Sequence, residues 1–170
     1  MTAKERERIF NCWMDQHQAH LFKVIRSYTF TPQDQDDLFQ EIALQVWRSV
    51  PHFRKESKAS TWIYRVALNT ALKWNRAEQK HQKGRKSFEN SSQLLQRTTQ
   101  NADERLDWLY REIRKLYPID RSLCLLMLDG FSYQEMADML GISETNVGVK
   151  IHRIKKHLIH QSENWTDYGI

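Results

Sequence analysis

The chain has 170 residues, of which 40% are hydrophobic and 28% are charged, with 26 lysines and arginines against 21 aspartates and glutamates. This hydrophobic content excludes wholesale disorder, and the length allows one domain or two small ones. Only five glycines and three prolines occur, and none precedes Pro32. Such a composition favours an all-helical fold over the turn-rich patterns of sandwiches and barrels.

The cysteines and the N-terminus narrow the class of protein further. Cys12 and Cys124 are far apart and no Cys-x-x-Cys spacing occurs, so neither a disulfide framework nor a structural zinc site is predicted. The charged first residues do not lead into the apolar run of a signal peptide, and no apolar run approaches the length of a membrane helix. We therefore expect a cytoplasmic protein without metal, cofactor or membrane segment, whose net charge of +5 suits an acidic partner.

Helical spacing of apolar residues predicts three helices in the first half of the chain. The first extends from about residue 3 to residue 28 as one long helix. The second begins at Thr31-Pro32 and ends at Ser49, with proline in its first turn and aspartates near its N-terminal end. The third extends from about residue 60 to residue 80, with Ser60 or Thr61 as its N-cap. The inward faces of the second and third helices are predicted to contain Leu38, Ile42, Val46, Ile63, Val66, Thr70 and Trp74.

A polar segment separates these helices from the second half of the chain. Residues 87–100 are rich in serine, threonine, asparagine and glutamine and lack apolar periodicity, which is typical of a flexible linker. Four more helices are predicted after it, of which the second ends at Asp129-Gly130 and the last two cover residues 132–140 and 143–160. The fold predicted is all-α, with two small helical domains, residues 1–86 and 101–170, joined by the linker.

Charge is distributed unevenly along the first half of the chain. Residues 34–41 contain four acidic residues and no base, whereas residues 54–86 contain ten lysines or arginines against two acids. The usual meaning of a charge run is a solvated face. Charge alone therefore leaves both a solvated face and a binding face open.

The strongest local signal lies in residues 130–154. Ala137 lies where the helices of a helix-turn-helix must cross closely, Gly141 where the turn needs a left-handed backbone, and Val147 where the second helix packs back. Ser143 is a suitable N-cap for that second helix. An ordinary helical hairpin is the alternative. The second helix also carries basic residues, which a recognition helix needs in order to bind phosphates. These are Lys150, Arg153, Lys155 and Lys156.

A second signal lies on the third predicted helix. Polar residues at spacings of three and four form a stripe opposite its apolar side, and such a stripe can follow a phosphate backbone. Trp62 and Tyr64, beside Phe53 and Lys58 of the preceding loop, add flat surfaces on which unstacked bases could lie. For each aromatic residue alone, packing in the core is the competing interpretation. The stripe consists of Arg65, Asn69, Lys73, Arg76 and Lys80.

The segments that carry these signals resemble a known family. Residues 37–41 (DLFQE), Trp47, residues 53–54 (FR) and residues 60–69 (STWIYRVALN) are similar to the second conserved domain of bacterial extracytoplasmic-function (ECF) sigma factors. The segment from residues 130–137 (GFSYQEMA) through Val147 resembles the fourth domain of the same family. The resemblance covers nearly the whole chain, in the right order, with a linker between the two domains.

The resemblance implies a specificity subunit of RNA polymerase, of the sigma-70 family, that performs no chemistry itself. Asp37, Gln40 and Glu41 would dock on core polymerase, which contributes its β and β′ subunits. The third helix and the loop before it would open and hold the minus-ten element, with Asn69 against a flipped non-template base. The residues implied at this element are Lys58, Trp62, Tyr64, Arg65, Asn69, Lys73 and Arg76.

The resemblance also implies how the second domain binds. The helix-turn-helix would enter the major groove of the minus-thirty-five element, and an anti-sigma factor could be a further partner. The residues implied at this upstream element are Ser143, Thr145, Asn146, Lys150, Arg153, Lys155 and Lys156.

One departure from the family pattern affects upstream recognition. Many members carry Arg-Ser-Arg after the valine of the recognition helix, whereas this chain reads Gly148-Val149-Lys150. An arginine that could read a base through two hydrogen bonds is absent, and glycine costs about 1 kcal/mol in a helix interior. We therefore expect modest upstream discrimination, so a strong minus-ten element or another DNA-bound protein could help recruitment. The alternative is that Asn146 and Lys150 read the bases well enough.

Two other classes of protein remain open at this point. A conventional helix-turn-helix regulator of duplex DNA explains the second half of the chain equally well, but it leaves the acidic helix beside the aromatic, basic helix unexplained. A metal or hydrolytic enzyme would use His17 and His20 with Asp15, or His157 and His160. Neither pair has a clear third ligand, and no phosphate-binding glycine loop or nucleophile elbow is present.

Overall fold

The computed structural model describes residues 1–82 and 103–168, with side chains described through Trp165. Every regular element in these two ranges is helical, which confirms the all-α prediction. The chain divides into two compact units, Met1–Asp107 and Trp108–Ile170. The predicted linker, residues 87–100, lies outside the described residues.

The first unit is built around two long helices. Its elements are α1 (Ala3–Gln16), α2 (Gln18–Tyr28), α3 (Pro32–Ser49), a 3₁₀ turn (Val50–His52) and α4 (Ala59–Gln82). α3 and α4 pack against each other, and α2 contacts both of them. The acidic segment therefore lies on α3, and the described part of the basic segment, residues 54–82, lies on the neighbouring α4 and the loop before it.

The prediction of one long first helix is wrong, because the helix breaks at His17. The backbone at this residue has φ −116° and ψ 19°, which separates α1 from α2. α1 contacts α3 and the 3₁₀ turn, whereas α2 packs on α4 and α3. The break lets each half face its own partner. No glycine or proline marks it, and the apolar spacing continues through it.

The core of the first unit lies between α2, α3 and α4. Thr31 caps α3, since its hydroxyl accepts a hydrogen bond from the Asp34 amide. The predicted inward stripe of α3 is confirmed, because Leu38, Ile42 and Val46 are fully buried. Helical spacing alone was therefore enough to identify the core face of this helix.

The start and the buried face of α4 differ from the prediction. α4 begins at Ala59, so Ser60 and Thr61 lie within its first turn and neither is the N-cap. Val66 and Trp74 are only half-buried. The buried face is broader than predicted and rotated, because α2 and α3 both pack on α4. The buried residues include Ile63, Tyr64, Ala67, Leu68, Thr70 and Ala71.

The second unit centres on its last helix. The elements are α5 (Glu104–Lys115), which begins in the last residues of the first unit, α6 (Pro118–Leu128), α7 (Tyr133–Leu140) and α8 (Glu144–Tyr168). α6 and α7 both pack on α8. α8 continues past the predicted end at residue 160, and Trp165 stacks on Trp108 of α5 with ring centroids 5.9 Å apart. The core of the second unit includes Ile113, Leu123, Leu126, Met136, Val147, Ile151 and Ile154.

Candidate nucleic-acid interface

A groove of about 730 Å³ runs between α3 and α4 in the first unit. Because its two walls come from different helices, residues far apart in sequence share one surface. The wall from α3 and the 3₁₀ turn consists of Glu41, Gln45, Arg48, Ser49 and His52, and the wall from α4 of Trp62, Arg65, Val66, Asn69, Thr70, Lys73, Trp74 and Ala77.

Three residues of the predicted polar stripe line this groove. Arg65 and Lys73 are exposed, and Asn69 is half-buried midway between them along the helix. Residues four apart lie on one face of a helix, which explains why the groove collects these three. Arg76 and Lys58 are also exposed, but neither contributes to its lining. The groove thus offers cations and a side-chain amide to a ligand.

Trp62 is one of two tryptophans that line this groove, the other being Trp74. Trp62 is half-buried, and its indole N–H donates to the hydroxyl of Ser49 at 3.1 Å. The centroid of its ring lies 5.7 Å from that of Phe53, with the ring planes at 55°. The hydrogen bond and the ring contact hold the indole in one orientation while part of it stays accessible.

Tyr64 does not lie at the interface, and the prediction that it offers a stacking surface is wrong. Its residue surface is only 1% exposed, and its ring packs against that of His20 with centroids 4.9 Å apart. Consecutive residues of a helix are about 100° apart around its axis. The side chain of Tyr64, two residues after Trp62, therefore points about 200° away from that of Trp62. The competing interpretation, core packing, holds for Tyr64.

The predicted acidic surface lies on α3. Asp37 and Gln40 are exposed, whereas Glu41 is half-buried at the groove. Local amides hold both carboxylates, since Gln33 donates to Asp37 at 3.1 Å and Gln45 donates to Glu41 at 2.8 Å. Asp37 and Glu41 therefore face different surroundings, although only one helical turn separates them.

Sequence reasoning missed an apolar part of this surface. Phe39 is 45% exposed and Leu44 is 41% exposed, on the same helix as Asp37 and Gln40. The signal was available for Leu44, which lies two residues from both Ile42 and Val46 and so falls off the spacing of the buried stripe. A large apolar residue off the core stripe of an amphipathic helix indicates a contact surface.

The helix-turn-helix has the predicted local geometry. Gly141 has φ +69°, the left-handed conformation that the turn needs. The hydroxyl of Ser143 accepts from the Asn146 amide at 3.1 Å, which confirms the predicted cap at the start of α8. Ala137 is buried, and Val147 is fully buried where the second helix packs back. Ser143, Thr145 and Asn146 are all exposed at the N-terminal end of α8.

The basic residues of α8 are either exposed or held in an ion pair. Arg153, Lys155 and Lys156 are exposed. Lys150 is half-buried, and its ammonium pairs with a carboxylate oxygen of Asp120 on α6 at 3.3 Å. The sequence does not indicate that pairing, because thirty residues separate the partners. Lys150 is therefore held against α6, unlike the other three cations.

The glycine of the recognition helix lies under an aromatic ring. A Cβ atom at Gly148 would lie 3.6 Å from Cε2 of Tyr133, the first residue of α7. This distance is an ordinary contact, so the tyrosine ring covers the position without excluding a methyl group. A long side chain there would have to pass beside the ring.

The histidines singled out in the sequence lie at the break between α1 and α2, in α2 and in α8. His17 and His20 stack with centroids 6.3 Å apart, and burial, together with the neighbouring His20, lowers the pKa of His17. His157 lies 4.0 Å from the Glu112 carboxylate. Within residues 1–82 and 103–168, no group of three histidines, cysteines or acids is placed to hold a metal ion. No helix among these residues is long and apolar enough to cross a membrane.

Comparison with known proteins gives two family matches in the order that the sequence predicted. The family model described as sigma-70 region 2 matches residues 13–81, and the model described as sigma-70 region 4 matches residues 106–158. The chain is 27% identical over 165 residues to the RNA polymerase sigma factor YlaC of Bacillus subtilis, covering 91% of this chain and 92% of the relative. It is 25% identical over 168 residues to the ECF RNA polymerase sigma-E factor of Escherichia coli, covering 91% and 87%.

Solved structures share the fold. CnrH in complex with the cytosolic domain of CnrY matches with a TM-score of 0.64 at 21% identity, over 93% of this chain and 90% of that one. The sigma factor RpoE of Bartonella quintana, in complex with the anti-sigma factor NepR, matches with a TM-score of 0.64 at 16% identity, over 88% and 98%.

The helix-turn-helix of the second unit, the groove of the first unit and the two family matches define the class. The chain belongs to the sigma-70 family of RNA polymerase sigma factors. Its relatives place it among the ECF sigma factors of that family. It is an alternative sigma factor that directs RNA polymerase to promoters, and the family is one of non-enzymatic initiation factors.

Proposed function

We propose that the groove between α3 and α4 holds the melted strand of the minus-ten element. The observation that carries this proposal is the shared lining, in which Arg65, Asn69 and Lys73 lie with Trp62. Cations suit the phosphates of a single strand, an indole suits the stacking of a base, and a side-chain amide suits the edge of a base. Exposed Arg76 and Lys58 extend the positive surface beyond the groove.

The outer surface of α3 is the polymerase contact in this proposal. Asp37 and Gln40 lie on the same face of α3 as the exposed apolar residue Leu44, which follows them by seven and by four residues. An apolar centre with a polar rim is the usual anatomy of a protein interface. Glu41 borders the groove, so it lies between the polymerase contact and the DNA contact. The β and β′ subunits are the partners that we infer.

The helix-turn-helix binds the minus-thirty-five element in this proposal. Exposed residues at the start of α8 reach the base edges, and the exposed cations further along contact phosphates. The ion pair of Lys150 and the glycine at position 148 leave few residues for base reading. A strong minus-ten element or a second DNA-bound protein therefore supplies part of the recruitment. The residues assigned to the upstream element are Ser143, Thr145, Asn146, Lys150, Arg153, Lys155 and Lys156.

The remaining assignments follow from these partners. The function needs no catalytic residue and no cofactor, so we infer that the chain is not an enzyme. We infer that the protein acts in the cytoplasm, because its partners are core polymerase and promoter DNA. Since both solved neighbours were captured with a protein partner, and one of these is an anti-sigma factor, we propose that an anti-sigma factor binds this chain too.

Promoter opening by the reconstituted holoenzyme tests the proposal. The purified chain is combined with core polymerase, a promoter is selected from a random-sequence library, and permanganate reactivity of its thymines reports melting. Asn69→Ala is expected to keep core binding and to lower open-complex formation, because the amide that hydrogen-bonds a base edge is lost, a contact worth about 1 to 3 kcal/mol when both of its hydrogen bonds form. Gln79→Ala, an exposed polar change on the same helix outside the groove, is the control.

Two results would contradict the proposal at different levels. Equal thymine reactivity in Asn69→Ala and the parent removes Asn69 from the minus-ten contact. Failure of the parent to bind core polymerase, together with tight binding to duplex DNA alone, favours a conventional helix-turn-helix regulator instead.

A further inference from the structure

A short basic loop precedes α4 and joins it to the 3₁₀ turn. Five of its six residues, Arg54 to Lys58, are exposed, and three of these are basic against the single acid Glu56. Lys55 has φ +60°, the left-handed region that a residue with a side chain seldom occupies. A conformation of this kind persists only where the surroundings hold it in place. The contacts at the two ends of the loop are therefore informative.

Aromatic packing holds the first end of the loop. The ring of Phe53 lies between two indoles, with centroid distances of 5.2 Å to Trp13 at 87° and 5.7 Å to Trp62 at 55°. Edge and tilted contacts at these distances are favourable for aromatic rings. At the other end, the amide of Trp62 donates to the carbonyl of Lys58 at 3.1 Å. Phe53 thus links α1 to Trp62, one of the two tryptophans that line the groove.

Trp13 is not part of the groove lining. It belongs to α1 and is 7% exposed. A second aromatic contact docks the same helix elsewhere, because Phe10 meets Trp47 edge-on at 5.4 Å. Arg6 reinforces that second contact by donating to the carbonyl of Trp47 at 2.8 and 3.1 Å. Of these two contacts, only the one through Trp13 continues to the loop.

We propose that Trp13 is a positioning residue for the melted promoter strand. It fixes Phe53, and Phe53 in turn fixes the path of the basic loop and the orientation of the Trp62 indole. The inference rests on the proposed function of the groove, and it adds that α1 sets the geometry of strand capture without touching DNA.

A matched pair of variants separates positioning from plain stability. Trp13→Ala and Phe10→Ala each remove one aromatic ring from α1, but only the first contact leads to the loop. In holoenzyme on the library-selected promoter, Trp13→Ala is expected to lower open-complex formation roughly tenfold, the effect of misplacing one stacked aromatic. Phe10→Ala is expected to stay within about twofold of the parent, and Trp13→Phe to recover most of the loss. Core binding and upstream duplex binding serve as readouts that should not change in any of them.

A double-mutant cycle tests the mechanism directly. If Trp13 acts by placing Lys58, the Lys58→Ala change costs less in the Trp13→Ala background than in the parent, because part of that contact is already lost. Additive effects would contradict the mechanism. Phe53→Leu, which keeps an apolar side chain but breaks the aromatic link, should reproduce the loss and replaces Trp13→Ala if that variant does not fold.

The possible failures are distinct. If the parent holoenzyme opens no selected promoter, the proposed function of the groove is wrong. If the parent opens the promoter and Trp13→Ala opens it equally well, the positioning role is wrong while the groove assignment stands. The positioning role is also wrong if Phe10→Ala loses as much opening as Trp13→Ala at equal thermal stability.

Discussion

In the first unit two helices build the surface that we propose for single-stranded DNA, whereas in the second unit one helix carries the surface that we propose for duplex DNA. The groove joins residues of α3 and α4, from Glu41 to Ala77. The start of α8 instead presents Ser143, Thr145 and Asn146 within four consecutive residues. A single strand has no fixed shape, so a groove with aromatic and cationic walls must hold it. A duplex already has a groove that accepts a helix, so exposed side chains on that helix are enough.

The largest expected effect comes from removing the groove cations. Arg65→Ala with Lys73→Ala should lower open-complex formation roughly 100-fold and reduce the salt dependence of melted-strand binding by about 1.4, because each contact with a single-strand phosphate contributes about 0.7 to the slope. Bubble templates at several salt concentrations measure both quantities. Arg8→Ala with Lys4→Ala, two exposed cations of α1, is the control. An unchanged slope would show that neither cation meets a phosphate.

The polymerase contact should give the next effect. Asp37→Lys with Glu41→Lys is expected to weaken core binding about tenfold, because charge reversal at an interface adds repulsion and not only loss of attraction. Fluorescence anisotropy against core polymerase measures it. Glu7→Lys with Asp15→Lys on α1 makes the same net charge change at exposed positions. If the two double variants bind core polymerase equally well, the surface of α3 is not the docking site.

Two glycines of the second unit should respond with opposite signs. Gly141→Ala is expected to destabilise the protein by about 1 kcal/mol, because a residue with a side chain is strained at φ +69°. No atom lies within 4 Å of the added Cβ, so a steric clash does not contribute to this cost. Gly148→Ala is expected to stabilise it by about 0.5 to 1 kcal/mol, because alanine favours a helix interior and its Cβ meets Tyr133 at an ordinary distance. Urea unfolding followed by circular dichroism compares them. If both substitutions change the free energy of unfolding in the same direction, tertiary contacts outweigh the backbone preferences of glycine and alanine at these positions.

The smallest effect should come from the ion pair of the recognition helix. Asp120→Asn releases the ammonium of Lys150, which can then meet a phosphate and increase the salt dependence of duplex binding by up to about 0.9. Asp138→Asn, an exposed change on α7, is the control. Salt titrations of duplex binding measure the slope. If Asp120→Asn leaves the slope unchanged, the ion pair with Asp120 is not what keeps Lys150 from a phosphate.

The sequence by itself determined the features that arise from local geometry. Leu38, Ile42 and Val46 are buried as their spacing predicts, because the period of a helix is set by its own backbone. Gly141 and Ser143 adopt the predicted turn and cap for the same reason, since their partners are within four residues. The order of the two family domains could likewise be identified from local motifs, without knowledge of long-range contacts.

Tertiary structure alone decided which chemically suitable residues reach the interface. Trp62 and Tyr64 are equally aromatic, yet only Trp62 lines the groove, because α2 covers the side of α4 that carries Tyr64 through the contact with His20. Lys150 is as basic as Arg153, but Asp120 on another helix holds it. The break at His17 and the link from Trp13 to the loop through Phe53 depend on packing between helices distant in sequence. Periodicity records which face of a helix is apolar, but the partner that covers that face is fixed only when the helices pack.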